Sequence, residues 1–211
     1  TKQFTSPVNV AIPSGNFGNA YSAWYGRFNG LPVNKILCST NVNDVLRRFI
    51  ETGELAPEKT LPSVAPSMDI QIPSSLERLI FDFTNGASAF YDSLLKENKA
   101  KLSEDNITQL NHIFSSTTFL DDDIKSEIKS LYKEFGSIFD PHSVTSIRMA
   151  LENQDAVPTV AVATASPEKF SNVIAPLIET FSEVAIDDKE EYLKLENDKF
   201  AISESIKAYF S

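Results

Sequence analysis

The stretch Ser14-Gly15-Asn16-Phe17-Gly18-Asn19 gathers the residue types that can hold an anion without a charged side chain. Its two glycines bracket Asn16-Phe17 where an apolar run gives way to a helical pattern. The backbone can therefore turn tightly and aim several N–H groups, with the positive end of a helix, at one point. A phosphate monoester suits such a cradle, and Asn19 can add one side-chain donor. The spacing is not that of a P-loop, since no Gly-Lys-Ser/Thr follows, nor of a dinucleotide fingerprint, since the third glycine is absent. From the residues alone, a plain strand-to-helix turn whose glycines serve positive φ angles accounts for the stretch equally well.

Other polar groups carry less chemistry. His112 lies in a polar helical stretch with no ligand set around it and reads as a surface histidine. Asn41, Asn43 and Asp44 close an apolar run on the side where ligands bind, but Asn43 or Asp44 serves as well as a helix cap. Ser103-Glu104-Asp105-Asn106 and Asp121-Asp122-Asp123 read as helix starts, where acidic groups meet the positive end of the dipole, rather than as metal sites. Cys38 is the single cysteine, so it has no intrachain disulfide partner and no metal cluster to join.

The elements that would position the loop follow from hydrophobic pattern. Val8-Asn9-Val10-Ala11-Ile12, closed by Pro13, predicts a buried strand, and residues 16–29 a helix carrying Phe17, Tyr21, Trp24, Tyr25 and Phe28. After Asn29-Gly30-Leu31-Pro32 comes a strand at 35–40 and a helix from about 43 that stops at Gly53. This β-α-β-α unit implies parallel strands with right-handed crossovers and ligands beyond the strands' carboxyl ends. Residues 75–82, 87–99, 103–114 and 121–135 read as successive amphipathic helices with no strand among them. Thr159-Val160-Ala161-Val162-Ala163 predicts a third strand and 167–180 a further helix. The tail, 187–211, is acidic and weakly helical, and no linker divides the chain.

Composition narrows the partners. The 211 residues carry 29 acidic against 19 basic side chains, a formal charge of -10, which repels a nucleic-acid backbone. The hydrophobic fraction of 42% allows a sizeable core. No window has the roughly 18 consecutive apolar residues of a membrane span. The lone cysteine suits a reducing cytoplasm. The chain starts at Thr1 without a methionine, so a piece of a longer protein is expected.

The order of several blocks resembles the threonine synthase family. They are Ile12-Pro13-Ser14-Gly15-Asn16-Phe17-Gly18-Asn19, Gly30-Leu31-Pro32-Val33, Ser39-Thr40-Asn41-Val42-Asn43-Asp44-Val45-Leu46, Ala65-Pro66-Ser67-Met68-Asp69-Ile70 and Ser75-Leu76-Glu77-Arg78-Leu79-Ile80-Phe81. Phe139-Asp140-Pro141-His142-Ser143 and Ala163-Thr164-Ala165-Ser166-Pro167-Glu168-Lys169-Phe170 look like that family's Asp-Pro-His-Thr and Thr-Ala-x-Pro-x-Lys-Phe segments. The resemblance covers roughly residues 7–180. It implies a three-layer α/β/α, partly parallel sheet of the fold-type II pyridoxal phosphate enzymes. On that expectation residues 1–211 form the C-terminal cofactor-binding portion, with a sheet core at about 7–60 and 155–180 and a helical insertion at about 75–150.

The implied activity is conversion of O-phospho-L-homoserine and water into L-threonine and phosphate. By similarity Gly15, Asn16, Phe17, Gly18 and Asn19 would hold the phosphate of pyridoxal phosphate, and the Thr164 hydroxyl would bond its pyridine nitrogen. The family's Schiff-base lysine belongs to an earlier Phe-Lys-Asp-type motif, and Lys2 has the wrong neighbours for it. The Ser-Gly-Asp-Thr-Gly-type segment that holds substrate is absent too. An N-terminal portion of the same enzyme is therefore expected as partner, and the chain alone is expected to be inactive, with no catalytic residue of its own. Two departures stand out: Ser14 replaces a common threonine, and Val144-Thr145-Ser146 stands where the family continues Ala-Val-Gly. His142 is expected to cap or orient a helix. The competing readings are a noncatalytic phosphate-binding or interaction module, and another fold-type II lyase such as a threonine dehydratase. Asn16-Phe17 and the Pro66-Ser67-Met68-Asp69-Ile70 block favour the synthase.

Overall fold

Four strands make the central sheet in the computed structural model, which describes residues 6–86, 88–153 and 157–181. β1 (Val8–Pro13) leads through α1 (Gly18–Phe28) to β2 (Val33–Thr40) and α2 (Val45–Thr52). Gly53 ends α2 in the left-handed conformation, where a glycine carries no Cβ penalty. The middle holds β3 (Glu54–Leu55), α3 (Leu76–Thr84), α4 (Ser88–Glu97), β4 (Ala100–Lys101), α5 (Glu104–Ile113), β5 (Phe114–Thr118) and α6 (Asp121–Phe135). α7 (Ser143–Glu152), β6 (Thr159–Ala161) and α8 (Ser171–Ile174) complete the order. The tail reading at 187–211 lies outside the described residues.

The strand order is β5-β2-β1-β6 and every pairing in it is parallel. Alternation along the strands sorts the core into two layers. Ile12, Ile36 and Cys38 join α1, α2, α3, α4 and α5 on one face, while Ala11 and Leu37 meet α6, α7 and α8 on the other. This is the expected α/β/α sandwich. β1 lies at the point where the chain reverses direction: α1 leaves it on one face, and the turn after β6 leads to Ile174 on the other. A crevice opens between strands so arranged.

The expectation of a strandless middle is corrected by β5, which pairs with β2 from Ile36↔Phe114 to Thr40↔Thr118. Phe-Ser-Ser-Thr-Thr lacks apolar alternation, and its Phe114 falls at the end of the helix expected over 103–114. Its hydroxyls instead bond across the ladder, Thr40 Oγ1 lying 2.9 Å from Thr118 Oγ1 and Ser116 Oγ donating to Cys38 O at 2.6 Å. The helix expected over 167–180 is also interrupted. Pro167–Phe170 is a 3-10 turn and α8 stops at Ile174; Ala175 still has helical dihedrals, φ -56 and ψ -39, but Pro176 has no N–H with which to continue the hydrogen-bond ladder. Among the described residues no helix is long and apolar enough to cross a membrane, and no cluster of three or more His, Cys, Asp or Glu could hold a metal.

Candidate functional site

The loop after β1 and the segment after β6 meet at the carboxyl ends of their strands. Gly15, Asn16, Phe17, Gly18, Asn19 and Thr164 all line one pocket of about 270 Å³, joined by Ser67, Met68 and His142. Among the described residues no lysine or arginine lines it.

The turn is built differently from the sequence expectation. Neither Gly15 nor Gly18 has positive φ; the left-handed residue is Phe17, with φ 67. A bulky side chain rarely adopts that conformation. Phe17 does so because its ring is buried in the core, 5.6 Å between centroids from Phe114. Only its backbone can therefore face a ligand. Gly15 is needed for a different reason: a Cβ there would lie 2.6 Å from Ser67 O and 2.9 Å from Met68 Cα. A Cβ at Gly18 would meet only Ser75 Oγ at an ordinary 3.7 Å.

The result is an array of donors. Among the described residues, no hydrogen bond uses the backbone N–H of Gly15, Asn16, Phe17, Gly18, Asn19 or Ala20. Tyr21 is the first of α1 to donate, to Phe17 O at 2.9 Å. Six successive N–H groups at a helix N-terminus, beside a glycine that leaves no room for a Cβ, match the acceptor-rich surface of a phosphate. Asn16 is tied down from outside: its Oδ1 accepts from Ser74 N at 2.7 Å and Ser74 Oγ at 2.9 Å, and its carbonyl from Ser75 N at 3.1 Å.

The segment that presses on Gly15 is held by a buried polar knot. Asn41 Nδ2 donates to Asp69 Oδ1 at 2.6 Å and Ser63 Oγ at 2.7 Å, while Asn43 Nδ2 reaches Asp69 Oδ1 at 3.0 Å and Leu61 O at 2.8 Å. Asn41 and Asn43 thus anchor the loop bearing Ser67 and Met68, and neither caps α2. Asp44 precedes α2 without a side-chain cap bond and pairs with Arg47 and Arg48. Cys38 is inert, because burial pushes its thiol up to about 12.

Thr164 lies three residues past β6, and its N–H donates to Ser143 Oγ at 3.0 Å. His142, expected to cap or orient α7, makes no cap bond to it. Its Nδ1 lies 2.8 Å from Asp140 Oδ1, and Nε2 accepts from Ser67 N at 3.1 Å. It is Asp140 that caps, accepting from His142 N at 2.9 Å and Ser143 N at 3.4 Å. Burial alone would push the Asp140 carboxyl up, but the hydrogen bonds from His142 and Ser143 outweigh it and hold the group below the usual carboxylate value. Sequence reasoning gave Asp140 and Ser67 no role. The usable signal was an aspartate three residues before a serine at a helix start. The departure Val144-Thr145-Ser146 leaves α7 starting at Ser143. Thr145 Oγ1 lies 2.7 Å from Ser39 Oγ, and Ser146 Oγ donates to Val162 O at 2.9 Å, so these hydroxyls fasten α7 to the sheet.

No protein-family model matches the chain. The crystal structure of PLP-bound threonine synthase from Brucella melitensis superposes with a TM-score of 0.82 at 27% identity, over 99% of this chain and 47% of that one. Threonine synthase from yeast does so with a TM-score of 0.77 at 26% identity, over 85% and 40%. The architecture is that of the fold-type II pyridoxal phosphate enzymes. In sequence, threonine synthase of Pseudomonas aeruginosa is 32% identical over 173 residues, which are 79% of this chain and 37% of the relative. The chain belongs to the threonine synthase family and spans less than half the length of these relatives.

Proposed function

We propose that this chain is the phosphate-gripping portion of a pyridoxal phosphate-dependent threonine synthase, a lyase of threonine biosynthesis that converts O-phospho-L-homoserine and water to L-threonine and phosphate. The observation that carries this reading is the row of six N–H groups, with no hydrogen bond among the described residues, in the same pocket as Thr164. The backbone of Gly15, Asn16, Phe17, Gly18 and Asn19 holds the cofactor phosphate, supported by the positive end of α1. The Thr164 hydroxyl donates a hydrogen bond to the ring nitrogen from the opposite end.

The cofactor, when bound, supplies an electron sink for carbanionic chemistry on the amino acid. A neutral hydroxyl at the nitrogen tunes that sink more mildly than a carboxylate, which would favour the protonated ring. This chain orients the cofactor from both ends, and among the described residues no lysine lines the pocket to anchor it covalently. The lysine and the substrate-holding segment belong to an N-terminal portion, and the isolated chain is catalytically inactive.

The test uses the purified chain with pyridoxal phosphate, followed by absorbance, and with O-phospho-L-homoserine, followed by phosphate release. Cofactor binding in competition with inorganic phosphate, without turnover, is the expected result. Turnover by the pure chain would refute the division of the site, and binding that ignores added phosphate would refute the cradle.

A further inference from the structure

We propose that Asp140 is a positioning residue that fixes the crevice from both sides at once, holding the Ser67 backbone through His142 and Thr164 through Ser143. The proposal rests on the cofactor reading given above and assigns the work of alignment to Asp140 and Ser143 behind the pocket, acting together with His142, which lines it.

Donor and acceptor roles settle the direction of every bond. A backbone N–H can only donate, so the Ser67 N–H at 3.1 Å makes His142 Nε2 an acceptor. The ring proton must then sit on Nδ1 and point to Asp140 Oδ1 at 2.8 Å. In the same way the Thr164 N–H occupies Ser143 Oγ as acceptor at 3.0 Å, and the serine's own proton goes to Asp140 Oδ2. Two chains of hydrogen bonds thus converge on one carboxylate, each of its oxygens serving one arm. The carboxylate held below its usual range agrees with this arrangement.

The three residues are at most 3% exposed, so water does not compete for these bonds. His142 is further fixed by Phe170, whose ring meets it edge-on with centroids 4.7 Å apart. The first arm ends where alignment matters for the cradle, because Ser67 O is the atom that a Cβ at Gly15 would strike. The second ends on the residue proposed to meet the ring nitrogen. The spacing between phosphate cradle and ring-nitrogen partner is therefore set through Asp140.

Amide hydrogen exchange in the cofactor-free chain reads each arm separately. Ser143→Ala should speed exchange of the Thr164 amide by roughly tenfold and leave Ser67 within about twofold, and Ser143→Thr should restore protection. His142→Phe keeps a ring against Phe170 but removes both nitrogens, so it should release Ser67 by roughly tenfold and spare Thr164. Asp140→Asn should release both; if it does not fold, the single-arm variants decide. In binding, Ser143→Ala should weaken pyridoxal phosphate but not inorganic phosphate, whereas His142→Phe should weaken both. Unchanged Thr164 exchange in Ser143→Ala, or equal release of both amides by either single-arm variant, would overturn the proposal. If the unaltered chain binds no pyridoxal phosphate, the cofactor reading fails while the exchange data still decide the role of Asp140.

Discussion

Replacing Phe17 by alanine and by glycine separates two opposing contributions to the cradle. Phe17→Ala removes a side chain that is 1% exposed and packs on Phe114, a loss of about 3–5 kcal/mol for a buried phenylalanine. Phe17→Gly removes the same ring but also relieves a left-handed backbone at φ 67, which costs a residue with a Cβ roughly 1 kcal/mol. The glycine variant should therefore lose only about 2–4 kcal/mol and be the more stable of the two. Within a helix the order is the reverse, with glycine about 1 kcal/mol worse than alanine. Urea unfolding followed by fluorescence of Trp24, the only tryptophan and a buried one, measures both midpoints. An alanine variant as stable as the glycine variant, or more so, would refute the claim that burial of the ring holds the turn in a strained conformation.

Gly15→Ala should destabilise the chain by about 1–3 kcal/mol and abolish phosphate competition, because its Cβ meets rigid backbone at 2.6 Å; Gly18→Ala should leave urea midpoints nearly unchanged. Asn41→Ala should lower stability by about 1–3 kcal/mol by removing one buried donor each from Asp69 and Ser63, with faster proteolysis in the loop around Ser67 as the accompanying sign. The Asp140 carboxyl is held below its unfolded value, so its stabilisation is complete above the ordinary aspartate value of about 3.9 and is lost as pH falls through the folded one. Urea midpoints measured below about pH 4 should accordingly fall more steeply for the natural chain than for Asp140→Asn.

The parts of the fold with strong hydrophobic period were legible: β1, β2 and α6 stand where alternation and helical spacing place them. β5 escaped because its hydroxyl-rich residues gain their strand character from partners on β2, and a long-range ladder leaves no mark in local pattern. At the site, the glycine loop and Thr164 could be named from motif blocks, and the structure brings them to one pocket. The conformations inside the loop could not. Glycine is the usual bearer of positive φ, yet here the burial of Phe17 overrides local preference and the glycines serve a close approach instead. Asp140, Ser67 and the polar knot on Asp69 were invisible for the same reason as β5: their meaning lies in who they face.

The pairing of β1 with β6 has a consequence for the order of events during synthesis. Asn9 and Thr159 stand 150 positions apart and are hydrogen-bonded neighbours. The glycine loop emerges ahead of β6 and has its strand and helix at hand, but the opposite wall does not exist until β6 has been translated. Contacts of such long range form slowly, since their loop-closure entropy must be met first. A nascent chain can thus shape the anion-holding turn long before it can hold a ligand from both ends. Two-ended binding would then serve as a signal that the last strand has docked.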